Sequence, residues 1–403
     1  MRHKNLFFFL VACGAVLILA SCQKTNSNLL RPTTSTDTLS TDKMVLENGT
    51  NPDELVLQNA AVSNNNSYLY TESNAANGNT IIGFTQKSDG SLINRNEYAS
   101  GGYGSGEGLG AQGALCTSRE LNLLFAVNAG SGTISSFRIQ PNGALQLLFT
   151  LPSNGVLPRS LTIYGNLLFV LNEGSSAICG FTISANGFFS KINGSEHSLS
   201  ALNVDAPQIS FQPDGKALYV TEKATNLIDK FTLDNSGAVI SAAYTPSSGI
   251  TPFGFDFSWR AKAMIVTNAA NGSSGAGSCT SYKNDNSGGL KAVNGAVSNF
   301  ETSPCWLATA KYGSFAFVSN TSTNNISSYY VDTKGSITLL KSVAGQDGTK
   351  PIDIVVSEDN RYVYNVNSGS HTISEYKRMP AGAIELIGTV TTLPDFTTGL
   401  VSY

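Results

Sequence analysis

Ala206-Pro207-Gln208-Ile209-Ser210-Phe211, then Pro213-Asp214-Gly215-Lys216, then Ala217-Leu218-Tyr219-Val220-Thr221-Glu222 read as strand, tight reversal, strand. Asp and Gly supply the backbone angles that the reversal needs. After Lys223-Ala224-Thr225-Asn226, the alternating run from Leu227 to Leu233 gives a third strand. Asp234-Asn235-Ser236-Gly237 turns again, and residues 239–243 begin a fourth. Period-two alternation argues strands rather than helices, and no segment of the chain carries a helical period. The second strand of this meander, a short apolar run ending in Asn or Glu, recurs along the chain. Its copies are Leu69-Tyr70-Thr71-Glu72, Phe125-Ala126-Val127-Asn128, Phe169-Val170-Leu171-Asn172, Tyr219-Val220-Thr221-Glu222, Ile265-Val266-Thr267-Asn268, Phe317-Val318-Ser319-Asn320 and Tyr364-Asn365-Val366-Asn367. Successive copies end 44 to 56 residues apart. A repeat of that length, built of strand and turn alone, predicts an all-β radial array: a seven-bladed β-propeller of four-stranded antiparallel blades.

The other parts of the repeat agree. A proline opens the first strand at Pro158, Pro252, Pro304 and Pro351, and a turn follows the third strand at Asn142-Gly143, Asn186-Gly187, Asn286-Ser287-Gly288 and Lys334-Gly335. The chain then ends on Leu393-Pro394-Asp395-Phe396 through Leu400-Val401-Ser402-Tyr403, the same proline-then-strand form with no blade after it. This predicts that the C-terminal strand completes blade one as its innermost strand, beside the strand at Tyr68. Such an exchange ties the two ends together and removes exposed edges. Residues 55–62 compete for the same place.

The first residues stand apart from the repeat. Arg2, His3 and Lys4 precede an apolar run over residues 6–20, shorter than the ~20 residues a membrane span needs. This is the layout of a signal peptide over residues 1–21. Leu19-Ala20-Ser21-Cys22 resembles the bacterial lipobox, which implies lipidation of Cys22, a membrane as partner and a place in the cell envelope. Gln23 after the cysteine favours the outer membrane. Residues 22–54, rich in Ser, Thr, Asn and Asp, read as a flexible tether, and residues 55–403 as the propeller, expected as a monomer. Charged residues are 13% of the chain, about half the usual ~25%, and the net charge is −3. No basic stripe of the kind nucleic acid requires is present. Cys116, Cys179, Cys279 and Cys305 fall in different repeats without zinc spacing, so no metal is expected; buried free thiols are favoured, with a Cys279–Cys305 pair as the alternative.

Three stretches resemble the seven-bladed lactonase-type propellers: Pro-Arg-Ser…Leu-Phe-Val-Leu-Asn-Glu-Gly at 158–174, Phe-Gln-Pro-Asp-Gly-Lys-Ala-Leu-Tyr-Val-Thr-Glu-Lys at 211–223, and Ser-Glu-Asp-Asn-Arg-Tyr-Val-Tyr at 357–364. That family includes bacterial 6-phosphogluconolactonases and fungal carboxymuconate cycloisomerases. Gly-Leu-Gly-Ala-Gln-Gly-Ala-Leu at 108–115, Thr-Glu-Lys-Ala-Thr-Asn at 221–226 and Pro-Phe-Gly-Phe at 252–255 are similar to a secreted subgroup of it. The resemblance implies a lactone hydrolase or cycloisomerase without organic cofactor, using an Arg-His pair after the proline of an inner strand and a Glu at the end of a second strand. Arg159 and Glu173 match; Ser160 stands at the histidine's position.

Opening a lactone needs a water activated by a base, and a cation or donor near the developing oxyanion. Glu173 or Glu222 is the candidate base, with Arg159 or Lys223 beside the oxyanion. Gln208, next to a proline as Arg159 is, would orient substrate, and Trp306 would offer an aromatic wall. Competing readings are a strand-end Glu bonded within the blade seams, an Arg159 that only neutralises carboxylates, and a Trp306 buried as core. A sugar or aromatic-acid lactone suits an exported chain better than cytoplasmic 6-phosphogluconolactone. The alternative function is a non-catalytic propeller that binds a glycan, peptide or partner protein at the envelope. The glycines of 101–113 lack the strand–helix setting of a nucleotide loop. They form a long connection between blades one and two, lying over the channel mouth or on the surface. Asn284-Asp285-Asn286-Ser287-Gly288 is similar to a calcium loop but lacks the downstream Glu.

Overall fold

In the computed structural model the chain divides into two units, Met1–Val45 and Leu46–Tyr403. The structure describes residues 67–285, 288–311 and 314–403, all within the second. The expected signal peptide and tether, Cys22 and residues 55–62 lie outside the described residues. Seven antiparallel sheets follow one another along the chain. Their first strands touch in a ring: Thr398–Ser402, Leu115–Ser118, Pro158–Tyr164, Gln208–Phe211, Pro252–Ser258, Pro304–Thr309 and Pro351–Val356. Blade one is closed by the C-terminal strand, which pairs with Ser67–Glu72 in the register Leu69 with Ser402 and Thr71 with Leu400.

Burial follows strand position. The second strands are buried almost throughout, and Leu123–Asn128 and Phe315–Asn320 at every residue, because both faces of the blade are covered by its neighbours. The outer strands, such as Leu92–Ala99, are mostly exposed. Blade three departs from the pattern: its outer edge is split into Phe189–Lys191 and His197–Ser198, both paired with Ala177–Ile183. Cys116, Cys179, Cys279 and Cys305 are all free, and burial pushes the Cys279 thiol up to about 12. No group of His, Cys, Asp and Glu among the described residues is arranged to hold a metal ion.

The strand-end residues form a repeated clamp within blades two, six and seven. Asn128 Nδ2 donates to Thr133 and Ser135, Asn320 Nδ2 to Asn325 and Ser327, and Asn367 Nδ2 to Thr372 and Ser374. The partner seven residues on is a serine in all three. Blade one varies the pair as Glu72 and Asn79, whose Nδ2 donates to Glu72 Oε2 at 3.1 Å.

Candidate functional site

The inner strands start, and the second strands end, at the same face of the ring, so this mouth of the channel collects one set of residues from each blade. The glycine-rich connection enters it. Residues 108–114 run across the channel: Gln112 N donates to Pro207 O of blade four at 3.0 Å, and Leu161 N of blade three donates to Gly113 O at 2.6 Å. Ser160 Oγ donates to Gln112 O at 2.6 Å. The Gln112 side chain spans to blade six, where Nε2 donates to Leu307 O at 2.7 Å and Oε1 accepts from Leu307 N at 3.1 Å. Glycine is required where this segment is tightest. A Cβ on Gly104 would lie 2.0 Å from the Asn74 carbonyl carbon, and one on Gly113, at φ +83°, would lie 2.9 Å from Ser160 Oγ. The connection lies across the channel mouth as a plug and is not a surface insertion.

Beside the plug, side chains from blades three to six form one arc. Arg159, second residue of its inner strand, places Nη1 2.8 Å from Asp205 Oδ1 and Nη2 3.4 Å from Glu173 Oε2. Lys223 Nζ lies 2.8 Å from Asp205 Oδ2 and 4.9 Å from the centre of the Phe253 ring. Phe253 packs on Trp306 with ring centres 4.8 Å apart, and Trp306 Nε1 donates to Ala111 O of the plug at 2.9 Å. Glu173 opens a 3₁₀ turn directly after the strand-end Asn172, which lifts its carboxylate toward Arg159. Burial alone would raise the Asp205 carboxyl, but Lys223 and Arg159 outweigh it and hold Asp205 below the usual range, so it stays ionised. Arg159 Nε is buried with no acceptor among the described residues. The arc therefore brings two cations and two carboxylates together beside Phe253 and Trp306, both of which are buried in the core.

Arg159, Glu173, Lys223 and Trp306 thus share this arc, and the structure adds Asp205, which was not singled out from the sequence. Its signal was present, since it lies just before the Ala-Pro that leads into the inner strand of blade four. Gln208 and Glu222 lie elsewhere. Gln208 Nε2 donates to Phe255 O at 2.9 Å and its Oε1 accepts from Phe255 N at 2.7 Å, so its amide joins blade four to blade five rather than facing a substrate. Glu222 is fully buried, accepts from Ser200 N, Ser200 Oγ and Thr225 Oγ1, and meets Asp229, seven residues on, at the serine position of the clamp.

That substitution has a titration consequence. Burial, reinforced by the charge of the neighbouring Glu222, raises Asp229 to about 9, so at neutral pH it carries a proton. The unfolded chain releases that proton above its ordinary value near ~3.9. The folded chain therefore holds more protons between these limits, and stability falls as pH rises through them. Thermal melts should show a Tm that declines toward about pH 9, a slope that flattens in Asp229→Ser, which restores the clamp of blades two, six and seven. An identical slope in the variant would exclude the pair as its source.

A larger hollow of about 530 Å³, lined by Tyr219, Phe257, Trp259, Met264 and Asn284, opens at the far ends of the inner strands and contains none of the candidate residues.

The comparisons with known proteins agree with this architecture. The family model described as lactonase, 7-bladed beta-propeller, matches residues 43–194. No curated protein matches the chain. Among solved structures, a candidate 6-phosphogluconolactonase of Bacteroides uniformis superposes with a TM-score of 0.69 at 18% identity, covering 85% of this chain and 100% of the other. The periplasmic gluconolactonase of Pseudomonas aeruginosa gives 0.66 at 18% identity, covering 84% and 98%. A Lactobacillus plantarum protein gives 0.69 at 16%, covering 84% and 99%. The chain is a seven-bladed β-propeller, similar to the lactonase family in sequence over residues 43–194 and to solved propellers in fold over most of its length.

Proposed function

We propose that this propeller opens a lactone ring of a sugar or aromatic acid at the channel mouth, outside the cytoplasm, on a chain anchored to the envelope membrane through lipidated Cys22. The observation that carries the reading is the arc itself: Arg159, Glu173, Asp205 and Lys223 come from separate segments and meet beside an aromatic wall. Glu173 takes a proton from water, and the resulting hydroxide adds to the lactone carbonyl carbon. Arg159 and Lys223 stabilise the oxyanion as it forms. The intermediate collapses with cleavage of the ring C–O bond, and the departing alkoxide recovers the proton, giving the hydroxy acid. Asp205 keeps the two cations apart and oriented.

The plug favours a second reading, a propeller that binds an envelope glycan, peptide or protein without turnover. Ser160, at the position where the resemblance implies a histidine, already donates to a plug carbonyl. Acid release from a panel of aldonolactones and aromatic lactones at pH 6–8 separates the two. Wild-type hydrolysis above the uncatalysed rate is expected. No turnover on any member, with thermal stabilisation by an envelope ligand, would replace the first reading with the second.

A further inference from the structure

On the other side of the plug lies a second hollow, about 350 Å³, which no residue of the arc except Trp306 enters. Its walls are Leu109 of the plug, Trp306, Ile352 and Phe396, all apolar, and its polar groups include Lys350, His371 and Asp395. These come from four places in the sequence: the blade one–two connection, blade six, blade seven and the segment leading into the closing strand. The apolar members are large and flat or branched, and they suit one face of a ring.

The charge arrangement differs from that of the arc. There, each cation meets a carboxylate. Here, Lys350 forms no ion pair among the described residues. The one carboxylate of the hollow, Asp395, lies 3.5 Å from His371 Nδ1 instead. An uncommitted ammonium beside an apolar wall attracts an anion, and the imidazole beside Asp395, once protonated, supplies a further N–H at the same rim. Lys350 is also fixed in place by its backbone: its N donates to Asn324 Oδ1 and its O accepts from Ser368 N and Oγ. A cation held by the main chain at a cavity edge costs less ordering on binding than one on a free loop.

We infer that this hollow is a binding site for a small ring-bearing carboxylate, with the ring against Trp306, Ile352 and Phe396 and the carboxylate on Lys350 and His371. The site shares only Trp306 with the Arg159 arc and does not depend on turnover there.

Calorimetric titration of the full chain with sodium benzoate, with sodium acetate as the ringless control, tests it. Benzoate is expected to bind at least about tenfold more tightly than acetate, and Lys350→Met to weaken benzoate at least about tenfold, while Arg159→Ala leaves it within about twofold. Lys350 is exposed, so the methionine variant is expected to fold, and its melting curve checks this. Undetectable benzoate binding, equal binding of benzoate and acetate, or unchanged binding by folded Lys350→Met would overturn the inference. Benzoate binding lost in Arg159→Ala would place the anion at the arc instead. Because the readout is binding, absence of lactone turnover leaves this result untouched.

Discussion

Removal of residues 394–403 is expected to leave a chain without a cooperative melting transition. The closing strand contributes more than its own burial. Tyr68 and Tyr403 exchange backbone hydrogen bonds at 2.7 and 2.8 Å, Thr71 Oγ1 donates to Thr398 O at 3.0 Å, and Gly399 N donates to Asp353 Oδ2 of blade seven at 2.6 Å. Leu400 packs with Leu69, Tyr364 and Val366 in the core between blades one and seven. At about 1 kcal/mol for each lost hydrogen bond, and more for the apolar surface opened, the sum is comparable with the ~5–15 kcal/mol that holds a domain folded. Deletion also leaves Ser67–Glu72 as an unpaired inner edge, open to pairing with other chains. Circular dichroism melts and size-exclusion chromatography check this. A monomeric truncated protein that melts like wild type would show that the ring closes by another route.

Release of the plug is the second large effect. Gln112→Ala removes the two hydrogen bonds that tie residues 108–114 to Leu307, a fully buried residue 195 positions away. Leaving the Leu307 N–H and C=O without partners costs about 1–3 kcal/mol each where water cannot replace the amide. Gly104→Ala attacks the same segment from its other end, where the new methyl meets the Asn74 backbone. Both variants are expected to melt several degrees lower than wild type. Hydrogen exchange should rise first at the amides of Gln112 and Leu161, which the plug's contacts protect. If Gln112→Ala kept wild-type exchange at both amides, the segment would be held by its backbone alone.

These two features show what the sequence made legible. The propeller and its closure were readable because they repeat: a strand-end Asn or Glu and a strand-opening proline recur, and a final copy without a blade has one place to go. The plug was not readable, because its glycines carry no periodicity and its place depends on a contact between Gln112 and Leu307. The seven-residue register of the clamp lay in the sequence, in Asn128–Ser135, Asn320–Ser327 and Asn367–Ser374. It would have placed Glu222 against Asp229 and away from the mouth. Comparing strand-end positions alone left Glu222 looking like a partner of Glu173. Gln208 was misassigned for a related reason: its neighbouring proline matched that of Arg159, but its amide reaches Phe255 of the next blade. Asp205 was overlooked because it precedes the strand, where the repeat is least regular.

On the proposed function the Arg159 arc, and not the buried clamps, handles the ligand. The most direct test is the rate of lactone opening by Arg159→Ala beside Glu222→Gln, each with its melting curve. Loss of one oxyanion donor typically costs about 10²–10³ in rate, so Arg159→Ala should lose turnover by that order while remaining folded. Glu222→Gln, changed inside a blade, should move the Tm and keep the rate. A folded Arg159→Ala with wild-type turnover, or a Glu222→Gln that loses turnover at an unchanged Tm, would contradict the account.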